Sequence, residues 1–84
     1  MELLEQKLEE VRERMVDRVY RHFKGNVYQV VDIVLDCETT ELVVIYKAIE
    51  NNKIIWCRKL SDFESNVDFD KYPNATQKKR FELV

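Results

Sequence analysis

The hydrophobic period of this chain changes at Val19, and that change limits the folds open to it. Before it, Met1, Leu4, Leu8, Val11 and Met15 recur in alternating steps of three and four. That is the spacing of one helical face. The residues between them are good helix formers, and no Gly, Pro or aromatic interrupts them. Residues 2–17 are therefore predicted to form a helix. Glu10, four residues ahead of Arg14, offers a favourable ion pair. The apolar stripe is narrow, like a coiled-coil seam. It has two uses: docking on the rest of the domain, or a helix–helix contact in a homodimer, since so short a helix needs a partner surface. From Val19 onward the period is two and β-branched residues dominate.

Strands are expected at Val19–Phe23, Val27–Asp36, Glu41–Ile49, Ile54–Lys59 and Arg80–Val84. The only glycine, Gly25, falls in the turn Lys24-Gly25-Asn26, where positive φ is needed. Asn51-Asn52 is expected to make a tight hairpin without glycine, because asparagine tolerates the left-handed region. Ser61-Asp62-Phe63-Glu64 reads as a helical turn capped by Ser61. Residues 66–78 are polar and irregular and hold the only proline, Pro73. Strand 41–49 has Val43, Ile45 and Ile49 on one face and Leu42, Val44, Tyr46 and Ala48 on the other. Two apolar faces need two covers. A curled sheet with the N-terminal helix packed outside supplies both. Five short strands in so small a chain favour a closed or half-open barrel, which hides strand edges. The expected class is mainly β (α+β). One domain spans 1–84, with a helix at 2–17 followed by a small five-stranded half-open barrel at 19–84.

Length and composition remove several functions. A chain of 84 residues holds no two-domain enzyme. One glycine excludes the Gly-rich phosphate loops. No run of about 18 apolar residues marks a membrane span. The start Met1-Glu2-Leu3-Leu4-Glu5 is acidic and unlike a secretory signal. The reading is cytoplasmic, with Cys37 and Cys57 reduced and partly buried. His22 is the only histidine, and no local signature pairs it with either cysteine. Two Cys and one His are too few for a zinc site. The Asp68–Pro73 stretch lacks the glycine and distal Glu of a calcium loop. No enzyme activity, metal or cofactor is expected.

Charge is segregated along the chain. Arg18, Arg21 and Lys24 give residues 18–24 a charge of +3, and Lys53, Arg58 and Lys59 give 53–59 the same. Lys78, Lys79 and Arg80 against Glu82 leave 78–82 at +2. Six acids against three bases leave 2–17 at −3, and five against Lys47 leave 25–50 at −4. The basic blocks also hold Tyr20, His22, Phe23, Trp56 and Phe81. Cations beside aromatics suit phosphate contacts and base stacking. Strand period puts Tyr20, His22 and Lys24 on one face, and Trp56 with Arg58 on another. The competing account is structural: the aromatics are core, and Arg21 and Arg58 pair across strands with Asp32, Asp36 or Glu38. The net charge of −2 also differs from dedicated nucleic-acid binders, whose isoelectric points exceed about 9.

The run Tyr20-Arg21-His22-Phe23-Lys24-Gly25-Asn26, then Tyr28, resembles the opening of a small bacterial family, domain of unknown function 1653. Its later motifs follow here in order: Glu38-Thr39, Val43-Val44-Ile45-Tyr46, Trp56-Cys57-Arg58, Phe63 and Arg80-Phe81. The resemblance covers residues 19–84 and leaves the N-terminal helix outside. The chain departs from the family where a histidine often precedes the E-T element (here Asp36-Cys37), where glycine often follows the third strand (here Glu50-Asn51-Asn52), and where proline often follows W-x-R (here Lys59). The resemblance implies a compact SH3-like barrel and no activity. Glu38, the acid of the E-T element, completes the candidate ligand-binding set with Tyr20, His22, Lys24, Trp56 and Arg58. Two functions follow. The first is a non-enzymatic binding module that engages a protein partner through a sheet face or edge strand. The alternative is a binder of nucleic acid or of a phosphorylated small ligand through the basic-aromatic face.

Overall fold

Leu8, Val11 and Met15 turn inward from helix α1 (Glu2–Met15), and Val11 and Met15 are buried. The computed structural model describes residues 2–84, so the Met1 end of the predicted stripe lies outside the described residues. Leu8, Val11 and Met15 of the stripe pack on the chain's own sheet. Arg14 does not use Glu10; its guanidinium donates to Glu64 at 2.7 Å. Asp17 ends the helix at φ +68°, a region that Asp enters more readily than most residues. Its N–H donates to the Val30 carbonyl, and the chain turns directly into the first strand.

The strands are β1 (Val19–His22), β2 (Val27–Leu35), β3 (Leu42–Ala48), β4 (Ile55–Lys59) and β5 (Phe81–Leu83), with a one-turn helix α2 (Leu60–Phe63) after β4. They form one five-stranded antiparallel sheet in the order β4-β3-β2-β1-β5. The outer strands β4 and β5 are not hydrogen-bonded to each other, so the curled sheet is a half-open barrel. Each strand falls one residue short of its sequence-based limits at one end or at both. Val31 is extra in β2, where the register with β3 shifts between Val30 and Asp32. Such a bulge bends and twists a strand. Arg12 reaches this point, donating from Nε to Asp32 Oδ1 at 3.2 Å and to the Ile33 carbonyl at 3.1 Å.

Directly opposite residues share a face of a sheet. The register therefore puts Tyr20, His22, Tyr28, Val30, Val44, Tyr46, Trp56, Arg58 and Phe81 on the concave side. The helix packs on that concave side, not outside. On the outer face of β3, Val43 and Ile45 are half-buried and Ile49 is exposed. Phe63 from α2 fills the centre at 1% exposure and stacks on Phe81 with centroids 4.0 Å apart.

Three local expectations are corrected. Ser61 does not cap α2. It lies inside the turn, and Lys59 stands at the N-cap without a side-chain bond. Asn51 and Asn52 do not take the left-handed region. The 49–54 connection is wide enough without it, and Asn51 Oδ1 accepts from the Lys53 N–H at 3.3 Å. Thr40, in the β2–β3 turn, takes φ +58° instead. Cys37 and Cys57 are both exposed and free, because one lies in a turn and the other on the outer side of an edge strand.

The irregular stretch is anchored at its base. Asn66 bridges Lys79, the Val67 N–H donates to the Lys78 carbonyl, and the Arg80 N–H donates to the Ser65 carbonyl. Val67 is buried. This stem projects the loop 68–77 beside the β1–β2 turn. There Gln77 Nε2 donates to the Arg21 carbonyl at 2.8 Å.

Candidate functional site

A cavity of about 280 Å³ opens where this loop meets β1, β4 and β5. Its walls are His22, Phe23, Lys24, Arg58, Asp68, Lys71, Tyr72 and Arg80. Four permanent cations and a histidine thus face one carboxylate. Among the described residues, none of the four cations forms an ion pair with that carboxylate or any other.

Each cation has a local reason for its place. Arg58 comes from the concave side of β4 and lies over the Phe81 ring at 6.0 Å. Its Nε donates to the Tyr46 hydroxyl at 3.4 Å. Arg80, just before β5, donates from Nε to Ser65 Oγ at 3.3 Å. Both guanidinium groups are therefore tied down at Nε, leaving the terminal nitrogens for a ligand. Lys24 follows β1 in the glycine turn, and Gly25 completes that turn at φ +108°. Lys24 Nζ lies 5.1 Å from the Tyr72 ring centroid, and Lys71 Nζ lies 5.5 Å from it. Their hydrogen bonds and charge, Lys24 first, hold the Tyr72 phenol below its ordinary range.

His22 lies edge-on to Phe81 at 4.9 Å. Its Nδ1 accepts from the Lys24 backbone N–H at 3.1 Å, which leaves Nε2 as the nitrogen free to donate. Burial first, then the charges of Arg58, Arg80 and Lys24, push the imidazole below its usual value. A neutral histidine with an Nε2–H is a donor without a charge of its own.

The structure brings His22, Lys24 and Arg58 to this cavity and leaves the other three candidates outside its walls. Tyr20 packs edge-on against Phe63 at 5.3 Å, and burial raises its phenol above the usual range. Trp56 shares the concave side of β4 with Arg58 but is 48% exposed and does not line the cavity. Glu38 sits in the β2–β3 turn, at the end of β2 away from the β1–β2 turn. Sequence reasoning missed Asp68, Lys71 and Tyr72 and did not single out Arg80. Lys71-Tyr72 repeats the cation–aromatic pairing of the other basic blocks, and that was the available signal. Asp32 pairs with Arg12, not with Arg21 or Arg58.

The fold and this cavity define a small half-open β-barrel with a cationic, aromatic-walled recess at its rim. A family model described as "Protein of unknown function (DUF1653)" matches residues 18–83, and the chain belongs to that family. It is also similar to the crystal structure of a member of the same family from Bordetella bronchiseptica, with 28% identity and a TM-score of 0.67. That likeness covers 87% of this chain and 91% of the Bordetella chain. No curated protein matches the chain. Among the described residues, no helix is long and apolar enough to cross a membrane.

Proposed function

We propose that the chain is a non-enzymatic binding module that takes a phosphate-bearing ligand into the cavity at the barrel rim. One observation carries this reading. Arg58 and Arg80 are both held at Nε by internal hydroxyls, so their terminal nitrogens are available to the same recess. A guanidinium fixed in this way matches the tetrahedral oxygens of phosphate with little loss of side-chain freedom. Lys24, Lys71 and the His22 Nε2–H add donors around them.

Nuclear magnetic resonance titration with glycerol phosphate tests the reading. Saturable shifts are expected at His22, Lys24, Arg58, Lys71, Tyr72 and Arg80, and they should weaken as salt rises. Hydrogen bonds to charged groups are worth about 1.5–3 kcal/mol, so Arg58→Ala or Arg80→Ala should each cost about tenfold or more in affinity. No saturable shift at low salt, or binding indifferent to both substitutions, contradicts it.

A second reading, engagement of a protein partner, is favoured by β4. This strand ends one side of the sheet, and Ile54, Ile55 and Trp56 are exposed beside it, Ile55 at 54%. An extended partner segment can add to such an edge through backbone hydrogen bonds. In a complex of this kind those amides of 55–59 that point away from β3 become protected from hydrogen exchange. A partner that leaves them unprotected rules out this mode.

A further inference from the structure

We infer that the phosphate-bearing ligand is a nucleotide, with its phosphate in the cationic cavity and its base on an apolar shelf beside it. This rests on the phosphate reading above and adds the class of ligand. The shelf is a recess of about 320 Å³ lined by Phe23, Lys71, Tyr72, Pro73, Asn74 and Ala75. It shares Phe23, Lys71 and Tyr72 with the cavity. One site thus has two contiguous halves of opposite character. The first holds four permanent cations, and the second holds two rings, a proline and a methyl with a single lysine on the shared wall.

A simple sugar phosphate satisfies only the first half. A planar base fits the second, because Phe23 and Tyr72 offer aromatic surface and Asn74 offers an amide that both donates and accepts. The two rings meet at 60° with centroids 4.9 Å apart, so they do not cover each other face to face. The halves are also coupled through the lysines. Lys24 and Lys71 lie over the Tyr72 ring. An exposed cation–π contact is weak compared with a charge-assisted bond to phosphate. A phosphate in the cavity therefore draws both ammonium groups off the ring, and the freed ring face receives the base. The nucleotide has two sources: a free mononucleotide, or the terminal residue of a strand carrying an end phosphate.

The test compares dissociation constants for glycerol phosphate, adenosine monophosphate, and one short oligonucleotide with and without a terminal phosphate. Base stacking predicts that adenosine monophosphate binds about tenfold or more tightly than glycerol phosphate. Pro73 is exposed and lines the shelf but not the cavity, so Pro73→Gln, which removes the apolar ring without adding charge, should reduce that advantage and leave glycerol phosphate binding within about twofold. The Tyr72 ring protons should move with adenosine monophosphate and much less with glycerol phosphate. A strand that outbinds the mononucleotide only when terminally phosphorylated supports the inference with a strand end as the source. The reverse order supports it with the free nucleotide as the source. Equal affinity for adenosine monophosphate and glycerol phosphate overturns the nucleotide inference while the phosphate reading stands. Failure of both to bind overturns both.

Discussion

His22 is partly buried, and the cations Arg58, Arg80 and Lys24 disfavour its protonation. Its imidazole should titrate below the ordinary 6.5, and Arg58→Ala should move that midpoint up toward it. Proton resonance of the ring measures both. The folded state binds the proton less readily than the unfolded chain. The contribution of His22 to stability is therefore complete above the unfolded pKa, and it falls as pH drops through 6.5 toward the lowered folded value. A phosphate in the cavity offsets the cations and raises the His22 pKa. Sulfate does not titrate in this range, whereas a phosphate monoester takes its second proton near about 6, so sulfate binding should take up protons and strengthen as pH falls through the His22 titration. The residue-scale part of the site was half legible. The basic-aromatic blocks marked His22, Lys24 and Arg58 before any fold was known. Lys71 and Tyr72 were not marked, because their segment has no hydrophobic period and only the Asn66–Lys79 stem places it. Trp56 lies outside the cavity walls. Strand period gave its face correctly, but a face is wider than a recess.

At the scale of elements, two short pieces hold the barrel together. Phe63 is the one fully buried side chain of the four-residue α2 and stacks on Phe81. Phe63→Ala should cost about 3–5 kcal/mol of unfolding free energy in denaturant titration. Met15, at 1% exposure, ties α1 to the same core. Met15→Ala should cost about 2–5 kcal/mol in the same measurement. A much smaller loss would mean that the helical stripe serves a surface other than the chain's own sheet. Gly25 carries a different cost. A Cβ there meets nothing within 4 Å, but φ is +108°. Gly25→Ala should therefore lose about 1–2 kcal/mol through backbone strain alone, with thermal melting as the readout. The switch of period at Val19 and the strand sequence were legible because each rests on local spacing. The bulge at Val31 and the inward helix were not, since both depend on how the sheet curls. Outward apolar residues such as Val43 and Ile45 looked like a second core face. They are shielded instead by cross-strand neighbours, Val34 opposite Val43 and Cys57 opposite Ile45.

Over the whole molecule, a net charge of −2 conceals a division of labour. The acids crowd helix α1, and the rim recess gathers cations from the β1–β2 turn, β4, the stem and the loop. Like charges held this close cost stability unless an anion meets them. The family was legible from motif order, because those motifs build the barrel. The recess was less so, since it joins residues far apart in sequence across the open side of the sheet. The claim that this recess is an anion receptor is tested most directly by calorimetric titration with glycerol phosphate. The wild type should be compared with an Arg58→Ala/Arg80→Ala double variant whose melting confirms its fold. Saturable one-site binding by the wild type and none by the double variant is the predicted result. Equal binding by both proteins, or no binding by the wild type at low ionic strength, would contradict it.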